Sequence, residues 1–125
     1  MSYAVSGLAR SPVAHGISVV VNAPAAFRFT APALPERHLK AAELLGADIS
    51  RRRADDAGAI LADRIVALMM DLNLPLGLGA LGYTTADIPA LVAGTIPQQR
   101  LTRLSPRSPT PGDLAELFAH SLALR

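Results

Sequence analysis

The chain has 125 residues, half of them hydrophobic, with 4% aromatic, 18% charged and a formal net charge of +2. That length bounds it to one domain at most, over residues 1–125. Ala, Leu, Ile and Val must then build the core. The weak charge gives no footprint for a nucleic-acid or membrane partner. The absence of cysteine excludes disulfides, thiolate metal sites and thiol nucleophiles.

The first 35 residues carry Arg10 and Arg28 and no acid, a composition shared with targeting peptides. The longest apolar run there, Ile17 to Val21, is too short for a signal-peptide core or a membrane span. Cytoplasm is the default compartment. The segment from His15 to Phe29 is ambiguous, because Val19 to Val21 favour a strand by propensity. From Pro35 onward helical signals dominate. Pro35 suits the first helical position and Glu36 the first turn. Leu39, Ala42 and Leu45 form a stripe, His38 falls on the exposed edge, and Gly46 is the expected C′ glycine.

The longest predicted helix runs roughly from Arg53 to Leu72. Ala57, Leu61, Ile65, Leu68 and Leu72 share one face, and Asp55, Asp56, Asp63, Arg64 and Asp71 carry the polar side. Asn73 and Pro75 end it. A shorter helix follows from about Asp87 to Thr95, with Asp87 as cap and Pro89 tolerated in the first turn. Pro97 to Pro109 reads as a linker. The last helix is signalled by Thr110 as cap, Pro111 at the first position and Asp113 completing a Thr-x-x-Asp box. Leu114, Leu117, Phe118, Ser121 and Leu122 then repeat at helical spacing, with His120 on the polar side. No repeat and no paired strands are evident. The expected fold is all-α, an up-and-down helical bundle of four to six helices.

Three patterns invite chemistry without carrying it. Gly77-Leu78-Gly79-Ala80-Leu81-Gly82 fits G-x-G-x-x-G, but a helix leads in and a turn leads out, so the strand-to-helix context of dinucleotide binding is missing. A short helical turn closed by Gly82 is the expectation. Arg51-Arg52-Arg53 is flanked by Asp48, Asp55 and Asp56 and has no interleaved aromatics. Arg100, Arg103 and Arg107 form a second loose basic stretch. Both read as solvated faces. Ser, His and Asp show no spacing that singles out a triad.

Ala14-His15-Gly16-Ile17-Ser18-Val19-Val20-Val21 is the most specific segment. Downstream of it come Pro35-Glu36-Arg37-His38-Leu39-Lys40-Ala41-Ala42-Glu43-Leu44-Leu45-Gly46-Ala47-Asp48 and the block from Gly82-Tyr83-Thr84-Thr85-Ala86-Asp87-Ile88-Pro89 to Arg100. In this order they resemble the C-terminal helical half of the iron-containing alcohol dehydrogenases, and in particular the hydroxyacid-oxoacid transhydrogenase branch. The resemblance covers nearly the whole chain.

The resemblance implies a helix starting near His15 and interrupted near Pro24. It also implies a complete enzyme that uses Fe(II) or Zn(II) and NAD(P) for hydride transfer between hydroxyacid and oxoacid. His15-Gly16 matches one metal-binding histidine of that family, although the family's usual proline before it is Ala14 here. The family site uses one aspartate and three histidines. Two of these ligands lie well upstream, and a third lies in a His-Gly-Met type motif just before the stretch resembling Met1 to Gly7. His15 is then the single ligand of the four in this chain, and His38 and His120 match none.

The N-terminal nucleotide-binding domain is expected to be absent, and the chain alone is expected to be inactive and to bind no cofactor. The implied partner is the missing nucleotide-binding half or a second copy of the chain. The segment Ile17–Leu34, whose only charge is Arg28, is expected to face that half. The other reading is a non-catalytic helical protein-association module.

Overall fold

The computed structural model describes residues 1–8, 12–50 and 52–124. Arg10 and Arg51, named above, lie outside the described residues. No strand occurs among those described. The α-helices are α1 (Ser2–Leu8), α2 (His15–Val20), α3 (Ala23–Thr30), α4 (Pro35–Leu44), α5 (Ala57–Asp71), α6 (Ile88–Thr95), α7 (Gln99–Thr102) and α8 (Pro111–Leu122). The all-α class is as expected. The short helices α1 and α7 are additions that no local signal announced.

The ambiguous segment is helical. Val19 and Val20 sit in or beside α2 despite their strand propensity, because burial of Ser18 and Val21 outweighs it. The break falls at Val21 and Asn22, and Pro24 occupies the first turn of α3, where its missing N–H costs nothing. Pro35 opens α4 as expected, and Gly46 follows it at φ +91°.

The buried face of α4 differs from the expected stripe. Leu45 lies past the end of the helix and is exposed. His38, expected at the exposed edge, is instead buried. Its Nδ1 meets the Leu34 carbonyl at 2.8 Å and its Nε2 meets Thr30 Oγ1 at 2.8 Å. The Phe27 ring stands edge-on to it. The reason is tertiary: the turn between α3 and α4 folds Thr30 back over the ring, so both nitrogens find partners away from water.

A single 3-10 turn, Ala54–Asp56, precedes α5. Ala57 and Leu61 are buried as expected, but Met69 replaces Leu72, which is 67% exposed. Helix α5 stops at Asp71, and Asn73 in the left-handed region at φ +53° turns Leu72 outward. The Gly-rich stretch forms a 3-10 turn, Gly79–Leu81, closed by Gly82 at φ +84°. Asp87 stands at the N-cap of α6, as expected, but its side chain makes no cap bond to that helix, and a box begins one turn earlier at Thr84. Thr84 N–H and Oγ1–H donate to the Asp87 carboxylate at 2.8 and 3.0 Å, and a 3-10 turn, Thr85–Asp87, leads into the helix. Asp87 therefore serves as the reciprocal acid of the box.

Helix α5 packs against α3 and α4, α6 against α1 and α8, and α3 against α8. Small residues allow the close approaches. A Cβ at Gly58 of α5 would stand 3.0 Å from the Arg28 Cα of α3. Val5, Val21, Met69, Leu78, Leu91 and Phe118 form the main core, with Tyr83 at its edge. Each of these large side chains contributes about 1.5–3 kcal/mol on full burial. Tyr83 O–H donates to the Val5 carbonyl and ties the α6 entry to α1. A second cluster joins Ala25 of α3 to Leu114 and Leu117 of α8. Together these contacts hold the start of α2 at the surface beside α1.

Candidate functional site

His15 is the first residue of α2 and its side chain is exposed. Ala14 before it has an extended backbone and provides no side-chain cap. Ser18 donates its Oγ–H to the His15 carbonyl at 2.8 Å, a bond within the same turn. Asn22 Nδ2–H then donates to the Ser18 carbonyl at 2.9 Å, so the whole short helix is braced from its buried side. A Cβ at Gly16 would meet nothing within 4 Å, so the surface at Gly16 is open.

Tyr3 of α1 flanks His15, with ring centroids 5.8 Å apart and planes tilted by 48°. Arg100 of α7 lies over the Tyr3 ring, its Cζ 5.9 Å from the centroid. Neither Tyr3 nor Arg100 carried a motif. Tyr3 stands alone in sequence, and Arg100 was one of a loose basic trio. The structure splits that trio. Arg103 donates to Gln99 Oε1 at 2.8 Å, while Arg107 pairs with Asp113 at 3.4 Å and stacks over Phe29 at 4.0 Å.

Val19, one helical turn beyond His15, opens onto a groove of about 360 Å³. Its walls come from α1, α2, α3, α7 and α8 and are mostly apolar. Asn22 lines it, is 4% exposed, and has an Oδ1 with no hydrogen-bond partner.

The other sequence candidates do not join this region. His38 is a buried, fully engaged side chain, and His120 is exposed in the last turn of α8, as expected. Arg52 and Arg53 lean on Asp48 and Asp55, so the local field there is mixed. Among the described residues no three His, Asp or Glu side chains gather into a cluster that could hold a metal ion. His15 therefore fits the role of one donor. It does not make a centre alone, since iron and zinc sites take three or four protein ligands.

Known proteins are similar to this chain along nearly its whole length. The family model for the C-terminal part of the Fe-containing alcohol dehydrogenases matches residues 1–122. The mitochondrial hydroxyacid-oxoacid transhydrogenase of Pongo abelii is 49% identical over 99% of the chain and 29% of its own length. That of Xenopus tropicalis is 56% identical over 90% of the chain and 24% of its own length. A probable hydroxyacid-oxoacid transhydrogenase of Dictyostelium discoideum is 51% identical over 94% of the chain and 22% of its own length. The chain thus spans less than a third of these relatives. Among solved structures, a 1,3-propanediol oxidoreductase superposes with a TM-score of 0.84 at 27% identity, covering 96% of the chain and 31% of that protein. With nearly every residue matched, this chain belongs to the Fe-containing alcohol dehydrogenase family and corresponds to its C-terminal part.

Proposed function

We propose that the chain is the helical part of an oxidoreductase that moves hydride between hydroxyacids and oxoacids. His15 is one ligand of a divalent metal, Fe(II) or Zn(II), whose other ligands lie on protein outside this chain. The carrying observation is the exposed imidazole at the first position of α2, with open space beside Gly16 and its helix braced from behind. The names of the relatives supply the substrate class.

A bound divalent cation supplies Lewis acidity toward the oxygen of the reacting carbon. The residues of this chain do the positioning. Ser18 and Asn22 hold the first turn of α2, so His15 keeps its direction. The Tyr3 ring limits the imidazole on one side. The groove entered by Val19 of the same helix offers an apolar wall one turn away. The nicotinamide cofactor, NAD(P), is assigned to protein outside this chain, because the glycine run Gly77–Gly82 is a turn between helices.

Cytoplasm stands as the proposed compartment, with the mitochondrion of the relatives' names as the other outcome of a localisation experiment. Among the described residues no helix is long and apolar enough to cross a membrane.

The test is reconstitution. The purified chain should bind Fe(II) or Zn(II) weakly and show no hydride transfer. Co-expressed with the N-terminal part of a transhydrogenase relative, it should acquire metal and activity, and His15→Ala should lose both together. An active assembly in which His15→Ala keeps full metal and full rate overturns the assignment. The second reading, a helical association module without chemistry, is favoured by large exposed side chains such as Leu104 and Leu44, at 81% and 76%. It gains if the chain binds a partner and no assembly turns over.

A further inference from the structure

His15, Tyr3 and Arg100 come from three different helices and form one exposed row, each neighbour within 6 Å of the Tyr3 ring centroid. Among the described residues Arg100 has no carboxylate partner, whereas Arg28 and Arg107 each have one. Its guanidinium lies over the Tyr3 ring, with Cζ 5.9 Å from the centroid, within cation–π reach. The row borders the apolar groove. Ser2 and Leu101, the chain neighbours of Tyr3 and Arg100, line that groove, as does Val19 on the His15 face of α2. A second and independent observation marks the groove as a place for a ligand. Asn22 Oδ1 is buried in its wall without a donor, an arrangement that costs free energy until something supplies one.

We propose that Arg100 binds the carboxylate of a hydroxyacid or oxoacid whose oxygen-bearing carbon lies at His15, and that Tyr3 is a positioning residue for both. This rests on the hydride-transfer reading above. A hydroxyacid differs from a plain alcohol by one anion at its far end, and discrimination between them needs a fixed cation a few bonds from the reacting carbon. A guanidinium presents a planar fork of N–H donors that matches a carboxylate, and the nearby Tyr3 ring favours its place beside the row. The carbon chain of the acid then lies against the apolar wall.

Two measurements test this. The chain is titrated by NMR at low salt with 4-hydroxybutyrate, and with 1-butanol as the uncharged control. The acid should shift the Arg100 side-chain Nε–H and the Tyr3 ring saturably, and 1-butanol should not. Arg100→Met should abolish the effect, and Arg100→Lys should weaken it. Tyr3→Phe, which keeps the ring, should preserve it, and Tyr3→Leu should not. Retained amide dispersion shows that each variant is folded.

In the two-part assembly, Arg100→Met should raise KM for 4-hydroxybutyrate roughly tenfold or more. It should leave KM for the nicotinamide cofactor unchanged. An active assembly with an unchanged KM for the acid in Arg100→Met overturns the Arg100 assignment and leaves the hydride-transfer reading standing. A metal-loaded assembly that transfers no hydride from the acid, while Arg100→Met still abolishes acid binding, overturns that reading and leaves Arg100 as a carboxylate site. Shifts that are equal for acid and alcohol, or that survive Arg100→Met, overturn the proposal itself.

Discussion

At Gly77 the backbone stands at φ +70°, and a Cβ there would lie 2.3 Å from the Ser121 carbonyl oxygen and 2.9 Å from Leu124 Cβ. The same oxygen accepts the Leu78 N–H at 2.9 Å, so the two segments cannot separate without losing a bond. Gly77→Ala combines left-handed strain with a backbone clash and should destabilise the chain by about 3 kcal/mol or more. Gly16 is the opposite case. It lies within α2 with open space around it, so Gly16→Ala should stabilise the isolated chain by up to about 1 kcal/mol. Urea unfolding midpoints separate the two, and a Gly77→Ala midpoint equal to that of the parent would refute the first. If the space beside His15 admits a ligand or a neighbouring ligand-bearing segment, Gly16→Ala should also lower metal uptake in the assembly while raising stability.

Helix α8 opens on a reciprocal capping box. Thr110 Oγ1 accepts from the Asp113 N–H at 3.1 Å, and the Asp113 carboxylate accepts from Thr110 N–H and Oγ1–H at 2.8 and 2.6 Å. The Thr110 side chain first, then its backbone N–H, and Arg107 beyond them, hold the Asp113 carboxyl below the ordinary carboxylate range. Such a group binds its proton more weakly folded than unfolded. Its stabilisation is complete above the unfolded value of about 3.9 and fades as pH falls through the lower folded value. Thermal unfolding followed from pH 5 downward should show this loss, and Asp113→Asn should flatten it. Thr110→Ala should lower Tm by a few degrees at neutral pH. If Asp113→Asn leaves the acid limb of the Tm curve unaltered, other carboxylates carry it. The same box is legible in the sequence at Thr110 to Asp113. The box at Thr84 to Asp87 is not announced in the same way, because a 3-10 turn stands between Thr84 and the helix whose N-cap position Asp87 takes.

Across the whole molecule the apolar surface is unevenly covered. Leu104, Leu44 and Leu72 are 81%, 76% and 67% exposed, and Val19 and Leu101 stand at the groove. The expectation that Ile17–Leu34 leaves a broad apolar face holds only in part. Val21, Pro24, Ala25 and Ala31 are buried, Val19 and Phe27 are exposed, and Arg28 pairs with Asp63 of α5. Patches of this kind mark association surfaces. The isolated chain should therefore self-associate, with a concentration-dependent sedimentation coefficient and binding of an apolar dye. Val19→Glu should reduce both. A monomer at high concentration that binds no dye would sink the idea. In the assembly, the N-terminal part should suppress dye binding by covering the groove edge.

Much of this molecule is written in local signals. Pro35, Gly46, Gly82 and the Thr110 box set helix ends through one residue's backbone or one hydrogen-bond exchange, so they are readable without knowing the fold. The 3.6-residue spacing through Ala57 and Leu61, and again through Leu114 and Phe118, similarly announces a buried face. His15-Gly16 and the strings around it were enough to point to a family and one candidate ligand. Packing decided the rest. His38 is buried because α3 folds Thr30 across it, and Leu72 is exposed because Asn73 ends α5 one residue earlier. The short α1 stands because Ala4 and Val5 are buried and Gly94 lets α6 come close. Tyr3 and Arg100 meet beside His15 only once α1, α2 and α7 are brought together. Contacts between residues so distant in sequence leave no period and no motif, so only the tertiary structure could assemble that row.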